Sequence, residues 1–233
     1  MRKLYICMLA MMACLVAFAA AASGQRNVLT SSEIDQGLRL ALSNGVGIAV
    51  KSLGHPEGFL GNPRVKIPLP SSLQKMEKGL RVIGQGQKVD EFVASMNHAA
   101  EKAVPVALDV FLGAIKRMTI DDARRILFSG QDDAATQFFR RTTEETLRQK
   151  FRPIVEQFTA QVGVTQKYKQ MVGSYGFAGA LLGKDATDID GYVTQKALDG
   201  LFLLVADEER NIRRDPLKQT ANLLRRVFGS MVH

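Results

Sequence analysis

From Thr30 to the last residues of this 233-residue chain, apolar side chains recur at steps of three and four, and that regularity leaves little besides helices to build with. In TSSEIDQGLRLALSNGVGIAVKSLG, Ile34, Leu38, Leu42, Val46, Ala49, Val50 and Leu53 share one helical face. Thr30 with Glu33 offers a capping box before it, and Gly54 a stop after it. SSLQKMEKGLRVIG carries Leu73, Met76, Leu80 and Ile83 at the same spacing, and GQGQ (84–87) is a turn. The next face holds Val89, Phe92, Val93, Met96, Ala99, Ala100 and Ala103, until Pro105 breaks the helix by lacking a donor and crowding the preceding turn.

VALDVFLGAIKRM then continues as a helix apolar enough to be surrounded by its neighbours. Thr119 with Asp122 opens a short helix that stops at Ser129 and Gly130. Asp132 caps the helix of DDAATQFFRR, and Thr142 with Glu145 opens a longer one that accommodates Pro153. A short helix in TQKYKQMVGSYG and the irregular GFAGALLGKDATDID lead to a long helix with Tyr192, Val193, Leu198, Leu201, Leu204, Val205 and Ile212 along its stripe. Asp215 and Pro216 start the last helix, a cap followed by a first-turn proline. With no internal repeat and no linker composition, residues 23–233 are expected to form a single all-α domain, a bundle of about eight to ten helices.

One stretch refuses the pattern. GFLGNPRVKIPLP (58–70) contains three prolines, which remove three backbone donors, and each drives the residue before it toward extended conformations. Val65, Ile67 and Leu69 alternate with Arg64, Lys66 and Pro68, so an extended chain presents apolar side chains on one side only. A central strand is incompatible with those prolines. The expected structure is a strap lying across helices, anchored by Phe59 and Leu60, with Asn62 as a turn residue and the glycines as hinges. Phe59, Leu60, Val65, Ile67 and Leu69 are then the candidate ligand-binding or lid residues, and the strap either closes one side of an apolar cavity between helices or only covers the core. The segment offers no acid, base, nucleophile or metal ligand set.

The first 22 residues, MRKLYICMLAMMACLVAFAAAA, run from a basic start through an uncharged apolar stretch to small residues, the order of a secretory signal peptide with an A-x-A cleavage site at Ala20 and Ala22. Cys14 is a poor lipoprotein site, because Met11 stands where a lipobox favours leucine and the apolar run continues past it. Both cysteines, Cys7 and Cys14, lie inside this leader, so a chain cleaved near Ser23 has no disulfide, thiolate nucleophile or cysteine-bound metal. Losing Arg2 and Lys3 from the 31 basic residues leaves 29 against 23 acidic ones, a net charge of +6. An exported basic surface suits an anionic envelope component, and no nucleic-acid partner is expected. The basic pairs, such as Arg124–Arg125 and Arg140–Arg141, are interleaved with acids and do not form one stripe.

Chemistry-bearing patterns are sparse. The lone G-x-G of GQGQ follows a helix where a phosphate loop needs a strand, and GSYG (173–176) is one residue short of a nucleophile elbow. In DATDIDGY, setting Gly191 at the glycine of a calcium loop puts Asp188 and Asp190 at ligand positions, but the first and the bidentate positions fall on Ala186 and Ala197. Asp188 and Asp190 are therefore incomplete metal candidates, and Asp190 is more simply the cap of the helix that follows. Asp121–Asp122, Asp132–Asp133 and Asp207–Glu208–Glu209 contain paired carboxylates of the kind hydrolysis uses, yet each suits a helix start or a solvated turn. His98 lies beside an apolar face, packed or at its rim.

The segments GFLGNPRVKIPLP, QDDAATQFFR, VGVTQKYKQMV and YVTQKALDGLFLLVADEERNIRRDP, in this order, resemble a family of exported Gram-negative bacterial proteins catalogued only as a domain of unknown function. The likeness runs from about Ile34 to Gly229, with GNPxVxIPLP and YVTQKALDGLF as its motifs. It implies an all-helical envelope protein, usually periplasmic and sometimes lipid-anchored, and brings no activity, cofactor or catalytic residue with it. Three functions are weighed on these readings. One is non-enzymatic binding of a lipid or other apolar or amphipathic small molecule between helices. The second is an envelope interaction or structural protein using basic helix faces, and the third a hydrolase with carboxylate chemistry. No cofactor is implied, and oligomeric state is not legible.

Overall fold

A computed structural model describes residues 30–82, 84, 86–161 and 188–214. The leader, the segments 162–187 and 215–233, and with them the expected TQKYKQMVGSYG and C-terminal helices, lie outside the described residues. All regular structure among the described residues is helical, with no strand. The helices are α1 (Ser31–Leu53), α2 (Gln74–Val82), α3 (Gly86–Ala103), α4 (Ala107–Arg117), α5 (Ile120–Phe128), α6 (Ala134–Gln161) and α7 (Ile189–Arg214). One-turn 3₁₀ segments precede α2 (Ser71–Leu73) and join α3 to α4 (Val104–Val106). The second marks Pro105, whose missing N–H ends one helix and suits the first turn of the next.

The two longest helices, α6 and α7, pack on each other and on α3; α1 covers α7 and α4. Phe111, Phe139 and Phe202 meet edge to face, Phe111 to Phe139 at 5.2 Å and to Phe202 at 5.9 Å between ring centres, and all three are fully buried. Arg140 closes this cluster with its guanidinium 4.5 Å from the Phe202 ring centre. The guanidinium of Arg39 on α1 donates to the carbonyls of Ile115 and Met118, satisfying acceptors that the end of α4 leaves open.

The Thr119–Asp122 capping box forms in both directions, and Gly130 takes a positive φ of 71° just past α5. The expected break at Thr142 does not occur, because α6 runs unbroken from Ala134 to Gln161 with Pro153 inside it. Thr142 and Thr143 donate their hydroxyls to the carbonyls of Phe138 and Phe139 one turn back, which removes their need to cap. Nor does Asp132 cap α6. Glu209, reaching across from α7, accepts from the N–H groups of Ala135 and Thr136 and from the Thr136 hydroxyl, each at 2.9 Å. A buried carboxylate thus stands at a helix N-terminus, where the dipole favours it, and Arg213 pairs with it at 2.8 Å.

Candidate functional site

The strap begins where α1 ends. Glu57 has a positive φ of 67°, and Gly58 lies so close to the Leu53 backbone that a Cβ would sit 2.5 Å from its carbonyl oxygen. Gly58 is therefore a point of close approach rather than a hinge. The first half of the strap is not extended as expected: the N–H of Asn62 bonds to the Phe59 carbonyl, and the Asn62 carbonyl accepts from both Val65 and Lys66. Asn62 also accepts from the Arg64 N–H through its side chain, the Asx turn that Asn-Pro favours. Residues 66–70 are free of turns and helix, and Pro70 is extended at φ −49° and ψ 142°.

Along this path the alternation holds. Val65, Ile67 and Leu69 are buried while Arg64, Lys66 and Pro68 are exposed. Phe59 is completely buried, and Leu60 half-buried. Phe59 and Val65 press on Gly200 of α7, where an added Cβ would lie 2.9 Å from the Phe59 ring and 3.2 Å from Val65 Cβ.

Irregular backbone inside a helical core leaves N–H and C=O groups without ladder partners, and each must find one. Two polar residues of α3 supply them. Asn97, wholly buried, accepts from the Ile67 N–H at 2.8 Å and donates to the Ile67 carbonyl at 2.9 Å, so its amide pairs with the strap as a neighbouring strand would. Glu101, 4 % exposed, accepts from the N–H groups of Phe59 and Leu60 at 3.0 and 3.2 Å. From α7, Tyr192 donates its hydroxyl to the Pro68 carbonyl, and Asp207 pairs with Arg64 at 2.5 Å.

Neither Asn97 nor Glu101 figures among the sequence candidates. A signal exists: Val89, Val93, Asn97 and Glu101 form one i, i+4 row whose second half turns polar while Met96, Ala99 and Ala100 beside it stay apolar.

At the strap's C-terminal end a groove of about 590 Å³ opens between α6 and α7. Pro68 and Leu69 form its strap wall, and Arg148 and Arg152, one turn apart on α6, stand opposite Tyr192 and Lys196 of α7. Arg152 bridges Glu156 at 2.8 Å and both oxygens of Asp188 at 3.2 Å, which holds its pKa above the usual arginine value. Lys196 places its ammonium 5.8 Å from the Tyr192 ring centre and has no carboxylate partner among the described residues. Arg148 is itself paired with Glu144 at 3.2 Å, so the lining is an apolar edge beside three cations, two of them ion-paired, and the Asp188 carboxylate. Of the five anchor side chains, Leu69 lines this groove, while Phe59 and Val65 pack on Gly200 of α7.

The incomplete metal pair is split between two tasks. Asp188 caps α7 by accepting from the Gly191 N–H and holds Arg152, whereas Asp190, the residue expected to cap, accepts from the Thr159 hydroxyl at 2.6 Å. The paired carboxylates have comparable work. Asp122 closes its capping box, and the Thr119 backbone and hydroxyl hold its pKa below the usual carboxylate range. Asp132 and Asp207 pair with Arg210. His98 is half-exposed beside Glu57 at 3.6 Å.

The family model described as "Protein of unknown function (DUF4197)" matches residues 28–229. No curated protein and no solved structure matches the chain.

Proposed function

Because the chain belongs to the DUF4197 family of proteins of unknown function, which carries no reaction to inherit, we propose a function from the groove: non-enzymatic binding of an amphipathic small molecule with an anionic head. The observation that supports it is the groove itself. Its volume falls within the range of about 300–1,000 Å³ usual for small-molecule sites. Leu69 and Pro68 meet the tail, and Arg148, Arg152 and Lys196 meet the head. The strap serves as a fixed wall of the site, held in place by α3 and α7.

The reading includes export to the periplasm of a Gram-negative cell, with 1–22 as a cleaved leader and 23–233 as one helical domain. The order of charge, apolar run and small residues at the N-terminus supports it. Native mass spectrometry of the protein purified from its host tests the binding: the expected spectrum carries an adduct with the mass of an anionic amphiphile. Arg148→Ala with Lys196→Ala is expected to remove that adduct without lowering the melting temperature. A bare protein mass, together with no thermal shift from fatty acids or lysophospholipids, overturns the reading.

A further inference from the structure

Helix α5 lies apart from the groove and exposes what soluble helices bury. Phe128 is 67 % exposed and Ile120 54 % exposed, on a nine-residue helix whose inner residues Ala123, Ile126 and Leu127 are packed. At 100° per residue, Ile120, Arg124 and Phe128 fall within an arc of about 80°, so the two apolar side chains flank a cation on one outward ridge. Arg125 follows on the same side, with Asp121 between them as the opposing charge.

The inner edge of α5 borders a cleft of about 160 Å³ against α6, lined by Arg125, Arg141, Ser129, Gln137 and Phe138. Asp122 also lines it, its carboxylate occupied by the Thr119 cap. Among the described residues neither Arg125 nor Arg141 has an ion-pair partner. Two guanidinium groups, neither within 4 Å of a carboxylate although both act through space on Asp122, therefore border a concave site of headgroup size, next to an exposed phenylalanine.

We propose that α5 docks the protein on an anionic phospholipid surface, with Ile120 and Phe128 entering the interface and Arg124, Arg125 and Arg141 taking lipid phosphates. Charge complementarity selects this occupant. A protein partner would have to supply carboxylates for a cationic cleft and an apolar seat for a convex ridge. A bilayer surface presents phosphates and an apolar layer together. No described helix is long and apolar enough to cross a membrane, so contact through α5 would be at the surface.

The chain contains no tryptophan, so Phe128→Trp gives a single reporter on the ridge, and Val82→Trp, at a position 86 % exposed on α2, the control. Protein purified from its host is mixed with vesicles of phosphatidylcholine alone or with a third phosphatidylglycerol. The expected result is a blue shift at position 128 only, only with the anionic vesicles, and screened by salt. Phe128→Ser with Ile120→Ser is expected to weaken vesicle binding about tenfold or more at unchanged melting temperature, because both side chains are solvated in the free protein. Arg125→Gln with Arg141→Gln is expected to abolish the preference for anionic lipid.

The proposal is overturned by vesicle binding that is equal in all variants, by equal shifts at positions 82 and 128, or by no shift at all. It is also overturned by emission from position 128 that is already blue-shifted without vesicles, the sign of a ridge covered by its own chain or a second copy.

Discussion

Replacing Asn97 by alanine tests whether the strap is held chiefly by side-chain hydrogen bonds from α3. The substitution removes the acceptor of the Ile67 N–H and the donor to the Ile67 carbonyl while both groups remain in the core, since Ile67 is 1 % and Asn97 0 % exposed. An orphaned buried polar group costs about 1–3 kcal/mol, so two cost about 2–6 kcal/mol. Water reaching the extended end of the strap moderates this, and about 3 kcal/mol is the central expectation.

In urea the midpoint falls at unchanged m-value, because the surface exposed on unfolding is the same. For a chain of roughly two hundred residues the melting temperature falls by about 6–12 °C. The Ile67 amide should lose most of its hydrogen-exchange protection, while amides in the middle of α6 lose only what the global loss accounts for. Asn97→Asp separates the two bonds: it keeps an acceptor for the Ile67 N–H but sets a carboxylate oxygen against the Ile67 carbonyl, and should recover stability as that carboxylate is protonated. A loss below about 0.5 kcal/mol in the alanine variant, or an Ile67 amide as protected as before, refutes the reasoning.

Other substitutions probe the same framework. Gly200→Ala should cost about 1–2 kcal/mol, since overpacking against Phe59 and Val65 exceeds the gain in helix propensity, whereas Gly47→Ala, whose Cβ meets nothing within 4 Å, should add about 0.5–1 kcal/mol; equal effects in urea melts would contradict the packing. Glu209→Ala should lower stability by about 3 kcal/mol, having removed the acceptor for the first turn of α6 and left Arg213 unpaired; a loss within 0.5 kcal/mol, near the noise of such melts, would deny it that role. Burial, with Asp207 beside it, pushes the Glu208 carboxyl above its usual range. A carboxyl that holds its proton more tightly when folded stabilises the fold at low pH and loses that contribution as pH rises through the folded pKa. Glu208→Gln should therefore be more stable than the parent at pH 7, with the difference fading near pH 4; a constant difference across that range would exclude the titration as its source.

What was legible in the sequence is what depends on neighbours along the chain. The stripe Leu38, Leu42, Val46, Ala49, Val50 and Leu53 is buried as its spacing requires, and the Thr119–Asp122 box needs only three residues to form. The alternation of Ile67 and Leu69 is also local, because the pleat of an extended chain fixes it, whereas Val65 is buried from within the turn at Asn62. What escaped is what distant residues decide. Asp132 had the position of a cap for α6, but Glu209, 74 positions beyond Ala135, brought a buried carboxylate to those N–H groups and left Asp132 to Arg210. Asp190 lost the cap of α7 by two residues, since the helix starts at Ile189 and Asp188 is the residue before it. Thr142 and Glu145 had the spacing of a box, yet the Phe139, Thr143, Leu147 and Phe151 face runs straight through them and burial outweighed the signal.

These long-range polar contacts bear on what the strap does. A lid has to leave its seat, and an irregular segment held only by apolar contact can slide or lift without orphaning a donor. This one is held by directional bonds to two helices: Asn97 and Glu101 of α3 at its middle and start, Tyr192 and Asp207 of α7 at its end and turn. Gly200 lets Phe59 and Val65 approach the α7 backbone, so lifting the strap would open space on one helix while breaking bonds on the other. The same tyrosine that holds Pro68 lines the groove between α6 and α7. On the binding proposed above, immobility would be the useful property: a wall that does not move would keep Leu69 at a set distance from Arg148, Arg152 and Lys196, and that fixed separation would select among amphiphiles by length.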